Sequence, residues 1–291
     1  MQKQATRGAV CVLFSAVLMS TGGLFIKSIP WSALAVNGGR NLFACAVTFL
    51  YIRCTGKKLK FSVPVFACAA CLSVNAIVYT MATRLTTAAN AVVIQYISPV
   101  FIILYLWVLF RQRPRRLDVL TCVLVLAGIA LFFLDSLSGG GMAGNLLALL
   151  AAATYAVVFL VNMFDGSDAL SSFFFGQLFS ALIGLPWILM EPNKSAGSWM
   201  AIAAMGIFQQ GVAYLFMCRG LALTSPVAAN ILCMCEPILN PVWVAIFYGE
   251  RIGVLAMAGM AVVIGVLAAY NVLNARAARG TAAAAAQLKK E

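Results

Sequence analysis

Apolar residues run along the chain in stretches of about 20, broken by short clusters of Lys, Arg, Gly and Pro. With those clusters as punctuation, ten runs emerge, at roughly 8–27, 31–52, 62–83, 87–110, 117–135, 144–163, 169–190, 198–219, 225–248 and 253–273. An α-helix of such length crosses a hydrocarbon core of about 30 Å. Two of the breaks are slight, Leu85-Thr86-Thr87 and Leu223-Thr224-Ser225. Without them, however, each flanking run would be far too long for one crossing, so a reversal is expected at both. The pattern predicts an all-α integral membrane protein of ten transmembrane helices.

The chain also repeats itself. At a constant offset of 138, Leu85-Thr86-Thr87 falls on Leu223-Thr224-Ser225, Ala91 on Ala229, Pro99 on Pro237, and Phe110-Arg111-Gln112-Arg113 on Tyr248-Gly249-Glu250-Arg251. Upstream the offset becomes 135, laying Asn75, Tyr79 and Arg84 on Gln210, Tyr214 and Arg219. The expected units are two five-helix repeats, 8–135 and 144–273, followed by an Ala-rich basic tail, 274–291. Because five is odd, the two units enter the membrane in opposite senses, as inverted repeats.

Composition agrees with lipid as the solvent: 63% of the 291 residues are hydrophobic and 10% are charged, against about 25% charged in an ordinary soluble domain. A net charge of +12 could suggest nucleic acid as a partner, but the cations are spread between spans and form no clustered basic face. With both termini in the cytoplasm, fifteen of the twenty Lys and Arg lie on that side and four (Lys27, Arg84, Lys194, Arg251) outside, as the positive-inside rule expects. Arg40 is left within a span. The basic residues Lys3 and Arg7 precede a first run long enough to cross, which reads as a retained helix and not a cleaved leader. Histidine is absent, which removes imidazole ligation and His base chemistry. The nine cysteines, including the Cys68/Cys71 pair at redox-motif spacing, sit mostly inside apolar runs as small hydrophobes. No metal site and no cofactor is expected.

In hydrocarbon an ionised side chain costs about 2.5–3.5 kcal/mol on insertion scales and needs a partner, a wet cavity or a purpose. Arg40, midway along the second run, and Glu236, midway along the ninth, are the clear cases. They either face a solute or lock helices together as an ion pair. Burial and a neighbouring guanidinium act in opposite senses on carboxyl protonation, so proton uptake at Glu236 stays open. Pro99 and Pro237 each remove a backbone donor, freeing the carbonyls of Gln95 and Cys233 at matched places in the two halves. They are either static kinks or hinges. Asn75 with Tyr79 and Gln210 with Tyr214 are spaced to share helix faces. Together with Gln95 and Asn240 they form a candidate polar lining, or else bond helices together. Trp31, Trp187 and Trp199, near span ends, read as interface anchors; Gly22-Gly23, Gly38-Gly39 and Gly259 read as sites of close helix packing.

Five motifs follow one another along the chain: Ser20-Thr21-Gly22-Gly23-Leu24-Phe25-Ile26-Lys27, Arg40-x-x-x-Ala44, Ser98-Pro99-Val100-Phe101, Glu236-Pro237 and Gly249-Glu250-Arg251. In their order and spacing the chain resembles the EamA-type, ten-helix permeases of the drug/metabolite transporter superfamily. The first helix lacks the Trp-Gly pair common in the family, and Gln112 stands where a Glu like Glu250 is usual; the subfamily stays open. The resemblance implies a secondary carrier of small metabolites in the cell (inner) membrane, with lipid around it and protons as a candidate co-substrate. The charged pair favours an amino acid or similar amphoteric solute, and a polyspecific drug or cation exporter is the alternative. A membrane enzyme finds little support, with eight acidic residues, no His and no recognisable catalytic constellation. Nor is there a filter-like segment or a Walker-type loop.

Overall fold

The computed structural model describes residues 2–21, 29–86, 91, 94–133, 141–192, 194–248 and 254–287. Among these the chain is helical throughout, and the helices group into ten spans. The first five are α1 (Gln2–Ser20), α2 (Ala33–Thr55), α3 (Val63–Leu85), α4 (Ser98–Val108) and α5 (Arg116–Phe133). In the second half come α6 (Met142–Leu160) and α7 (Ala169–Met190). The eighth span joins α8 (Ala196–Ala204) and α9 (Ala213–Leu221) through a π-helical stretch, Met205–Val212; the ninth joins α10 (Pro226–Cys233) and α11 (Glu236–Tyr248); the tenth is α12 (Val254–Gln287).

Both expected reversals occur at helix ends. α3 stops at Leu85, where Thr86 turns extended, and α9 stops at Leu221 before Ser225 caps α10. Small polar side chains make such ends possible at the rim of the membrane: Ser32, Ser62, Asp168, Ser195 and Ser225 each accept a first-turn backbone N–H of their helix. α1 ends at Ser20, earlier than its apolar run; Gly22, Gly23 and Lys27 lie outside the described residues, as do Gly249-Glu250-Arg251 and 288–291. Five spans are long and apolar enough to cross a membrane on their own: Ala33–Thr55, Val63–Ala82, Met142–Met163, Ala169–Met190 and Ala196–Leu221. Around the outside, Phe49, Trp107, Leu120, Leu182 and Ile264 are 51–62% exposed, a surface that fits acyl chains and not water.

Contacts among the span ends are those expected of a bundle in which every span crosses. The loop before α2 meets the end of α7, where the Ser32 N–H donates to Glu191 Oε1 at 2.7 Å. At that same end the Thr86 hydroxyl donates to Asn145 Oδ1 at 2.8 Å. At the opposite end Ser62 donates to the Gly166 carbonyl at 2.8 Å. There too Arg115 and Tyr270 both donate to Asp118, at 2.7 and 2.8 Å. Gly8 lies against Leu223 and Thr224 on that end as well.

Exchanging the halves, so that each span maps onto the one five places later, preserves the main helix pairings. The second span packs on the seventh, the fourth on the ninth and the fifth on the tenth; third on sixth matches eighth on first, and third on seventh matches eighth on second. With every span crossing and five per half, equivalent helices run antiparallel, which makes the fold two inverted repeats.

α2 and α7 meet backbone to backbone. A Cβ on Gly38 would stand 2.7 Å from Gly184 Cα of α7, and one on Gly39 2.8 Å from Ile202 Cγ2 of the neighbouring α8. Tight approach through small residues is how membrane helices gain dispersion energy when lipid is as apolar as the side chains. Trp31 belongs to this contact and not to the membrane interface: it is 4% exposed and stacks edge-on against Trp199 at 5.0 Å. Trp187, 40% exposed, does face outward. Gly38→Leu is expected to cost about 1–3 kcal/mol through overpacking and to lower the thermal unfolding midpoint in detergent. Gly265→Leu, which has nothing within 4 Å of its Cβ position, leaves the midpoint unchanged. Equal midpoints would mean that the two helices are not in backbone contact.

Candidate functional site

The fourth and ninth spans are broken in the same way. Helix around residues 94–95 gives way to a turn at Tyr96-Ile97 before Ser98 restarts it; Cys233 gives way to a turn at Met234-Cys235 before Glu236 does. Each turn is closed by an i→i+3 bond, Ile97 N–H to Ile94 O and Met234 N–H to Ile231 O, both 3.1 Å. Pro99 and Pro237 therefore sit in the first turn of a new half-helix, where a missing N–H leaves no bond unmade. They mark breaks, where the sequence pattern had suggested bends within continuous helices. The difference arises because a two-residue turn precedes each proline and resolves its clash with the preceding turn. Discontinuous backbone at membrane depth is tolerated where it is buried in protein or lines a cavity.

Such a cavity lies beside the second break. Its volume is about 140 Å³, and Arg40, Asn75, Tyr79, Gln95, Gln210, Tyr214, Glu236 and Pro237 all line it. Seven of the eight candidate lining residues thus converge from spans two, three, four, eight and nine. The Asn240 side chain lies outside the described residues, and Pro99, though buried, does not reach the cavity.

Arg40 leaves α2 toward this space and donates from Nε and Nη2 to Asn37 Oδ1, at 3.3 and 3.0 Å, one turn back on its own helix. Glu236 is the first residue of α11, in the helix turn where backbone N–H groups favour negative charge, and the Tyr96 hydroxyl hydrogen-bonds toward its carboxylate. The two charges feel each other across the cavity. They do not form an ion pair, since among the described residues the pair of that kind is Arg115 with Asp118. The mutual lock considered from sequence is absent, so both groups keep bonding capacity toward the space between them.

Behind the lining runs a bonded shell. Asn41 donates to the Asn37 carbonyl at 2.8 Å, and Gln210 Nε2 donates to Asn41 Oδ1 at 2.7 Å. Asn75 donates to the Ala151 carbonyl at 2.8 Å, fixing α3 to α6, and Ser180 donates to Ser73 at 3.1 Å. Gln209 and Gln210 both reach the cavity from the π-helical stretch, whose wider turn is a recurrent feature of functional sites. α2 can lie close to it because a Cβ on Gly206 would meet the Arg40 carbonyl at 2.5 Å. Aromatic rings complete the wall: Phe173 stacks edge-on with Tyr214 at 4.7 Å and Tyr96 with Tyr155 at 6.3 Å. Beneath them Tyr155, Phe159, Phe173 and Met217 belong to one continuous core.

Sequence reasoning missed Tyr96, Tyr155, Asn41, Gln177 and Gln209. Tyr96 was within reach, being next to Gln95 and three residues before the repeat-matched Pro99. The others carry no mark beyond being polar or aromatic in an apolar run.

A model of the EamA-like transporter family matches this chain twice, over residues 6–134 and 142–272. A protein of Archaeoglobus fulgidus described as an uncharacterized transporter is 26% identical over 273 residues, 91% of this chain and 96% of its own length. A solved structure described only as the crystal structure of a protein superposes with a TM-score of 0.80, covering 91% of this chain and 97% of its own. At 22% identity that likeness bears on the fold alone.

Proposed function

Because the chain belongs to the EamA-like transporter family, we propose that it carries a small amphoteric metabolite, of the amino-acid type, across the membrane as a secondary active or facilitative carrier. The observation that carries this reading is the convergence of Arg40 and Glu236 on one internal cavity without pairing to each other. A solute bearing a carboxylate and an amine offers each of them a charge-assisted hydrogen bond. Neither charge would be stable in hydrocarbon without such a setting. Asn75, Tyr79, Gln95, Gln210, Tyr214 and Asn240 complete the proposed binding residues. Alternating access follows from the inverted repeats, which can exchange conformations around a fixed site, with Pro99 and Pro237 as the hinges. Protons are the proposed coupling ion, taken up at Glu236.

A second reading keeps some support from the rings of Tyr79, Tyr96, Tyr155, Phe173 and Tyr214 on the wall: a polyspecific exporter of aromatic or cationic compounds would use them through stacking and cation–π contact. Thermal-shift screening separates the two, because the ligand class that binds the folded protein is the one that raises its midpoint.

We place the protein in the cell (inner) membrane with both termini and the 274–291 tail cytoplasmic, on the support of the fifteen cations at that end.

Glu236→Gln is expected to leave the protein folded and abundant while lowering uptake into reconstituted vesicles about tenfold or more, the loss of one charge-assisted contact. Uptake at the wild-type rate would retire its role. Pro99→Ala and Pro237→Ala each slow turnover more than they weaken solute binding; unchanged turnover in both would count against hinges. Cys54 is exposed at the end of α2, and, with the other cysteines replaced, a membrane-impermeant maleimide should label it only after cells are permeabilised. Labelling in intact cells would reverse the orientation.

A further inference from the structure

Two carboxamides on the cavity wall are only half bonded. Gln177 of α7 is 3% exposed; its Oε1 accepts from the Thr48 hydroxyl at 2.9 Å, while its Nε2 is buried with no protein partner. Gln209 is the chemical opposite. Its Nε2 donates to the Met19 carbonyl at 3.2 Å, and its Oε1 is the buried atom without a partner. The Met19 carbonyl can only accept, so it fixes the Gln209 amide with its oxygen left over, while the bond from Thr48 to Gln177 Oε1 leaves Nε2 over.

Buried polar atoms without a hydrogen bond are rare in folded proteins, and each asks for an explanation. Among the described residues, the others are on Asp168, Thr224 and Asn230, all away from the cavity. The pair at the cavity thus comprises one unused donor and one unused acceptor. They stand on different helices of the chamber that also holds Arg40 and Glu236. Asn41, Asn75, Ser180 and Gln210 on the same wall are engaged with protein groups. An unused N–H suits a carboxylate, and an unused carbonyl suits an ammonium group.

We propose that Gln177 and Gln209 are specificity-determining residues, Gln177 donating to the carboxylate of the solute and Gln209 accepting from its ammonium group. The proposal rests on the amphoteric-solute reading above. The Met19 carbonyl acts as a positioning partner that holds the Gln209 amide one way round, and Thr48 anchors the Gln177 side chain.

The test is a thermal-shift titration of the purified full-length protein with the proteinogenic amino acids, and with matched amines and carboxylic acids that lack one of the two charges. Wild-type protein is stabilised by at least one zwitterion and not by its single-charge analogues. Gln177→Met and Gln209→Met keep side-chain length and delete both amide atoms. They weaken binding of that zwitterion about tenfold or more. Gln177→Glu keeps an acceptor for the Thr48 hydroxyl, sets a negative charge against the carboxylate and abolishes binding. Unchanged affinity in both Met variants, or in Gln177→Glu, overturns the assignment and leaves the carrier reading standing. Wild-type protein stabilised by no zwitterion overturns both.

Discussion

Hydrocarbon supplies no hydrogen-bond partners, so every polar group placed inside a span must be satisfied by the protein or by something the protein encloses. In this chain that constraint decides where the polar residues go. Arg40 is answered by Asn37, Asn41 by the Asn37 carbonyl, Gln210 by Asn41 and Asn75 by the Ala151 carbonyl. All of them border one chamber, and the break before Glu236 opens onto the same space. The fold and the candidate site thus answer a single requirement: broken backbone and ionisable side chains are tolerated at this depth because they border a shared interior.

The inverted repeat gives that interior a mechanical property. Since the main helix pairings survive exchange of the two halves, the proposed alternating access has each half adopt the shape of the other while keeping those contacts, with the solute biasing the two arrangements. Tight backbone contact of α2 with α7 through Gly38 and Gly184 anchors the halves to each other.

Much of this was legible in the sequence because lipid writes a strong pattern. Ten apolar runs, two reversals marked by Thr and Ser, and prolines recurring at an offset of 138 needed no tertiary information. Arg40 and Glu236 stood out because charge is rare in such runs. Gln177, Gln209, Tyr96 and Tyr155 did not, since an uncharged polar or aromatic residue fits lipid headgroups, helix contacts and a cavity alike, and only packing decides among them. Trp31 shows the same ambiguity from the other side: near a span end it reads as an interface anchor, yet Trp199 and α2 bury it. The π-helical stretch was likewise invisible, because Met205–Val212 differs from an ordinary helix by its hydrogen-bond register and not by its composition.

The backbone symmetry does not extend to the lining. Ser32 and Asp168 cap equivalent helices, α2 and α7, and counting from them places Gly176 opposite Arg40; in the ninth span Glu236 corresponds to Ser98 of the fourth. The positive group therefore belongs to the first half and the negative group to the second, each corresponding to a small or neutral residue in the other. On the proposed reading, a solute that engaged one charge alone would ride with one half and leave the other free. A solute with both charges touches both halves at once, so any rearrangement that moves the halves relative to each other changes its fit. Selection for an amphoteric solute and sensitivity of the conformational change to that solute then have the same physical source, an asymmetric pair of charges on a symmetric frame.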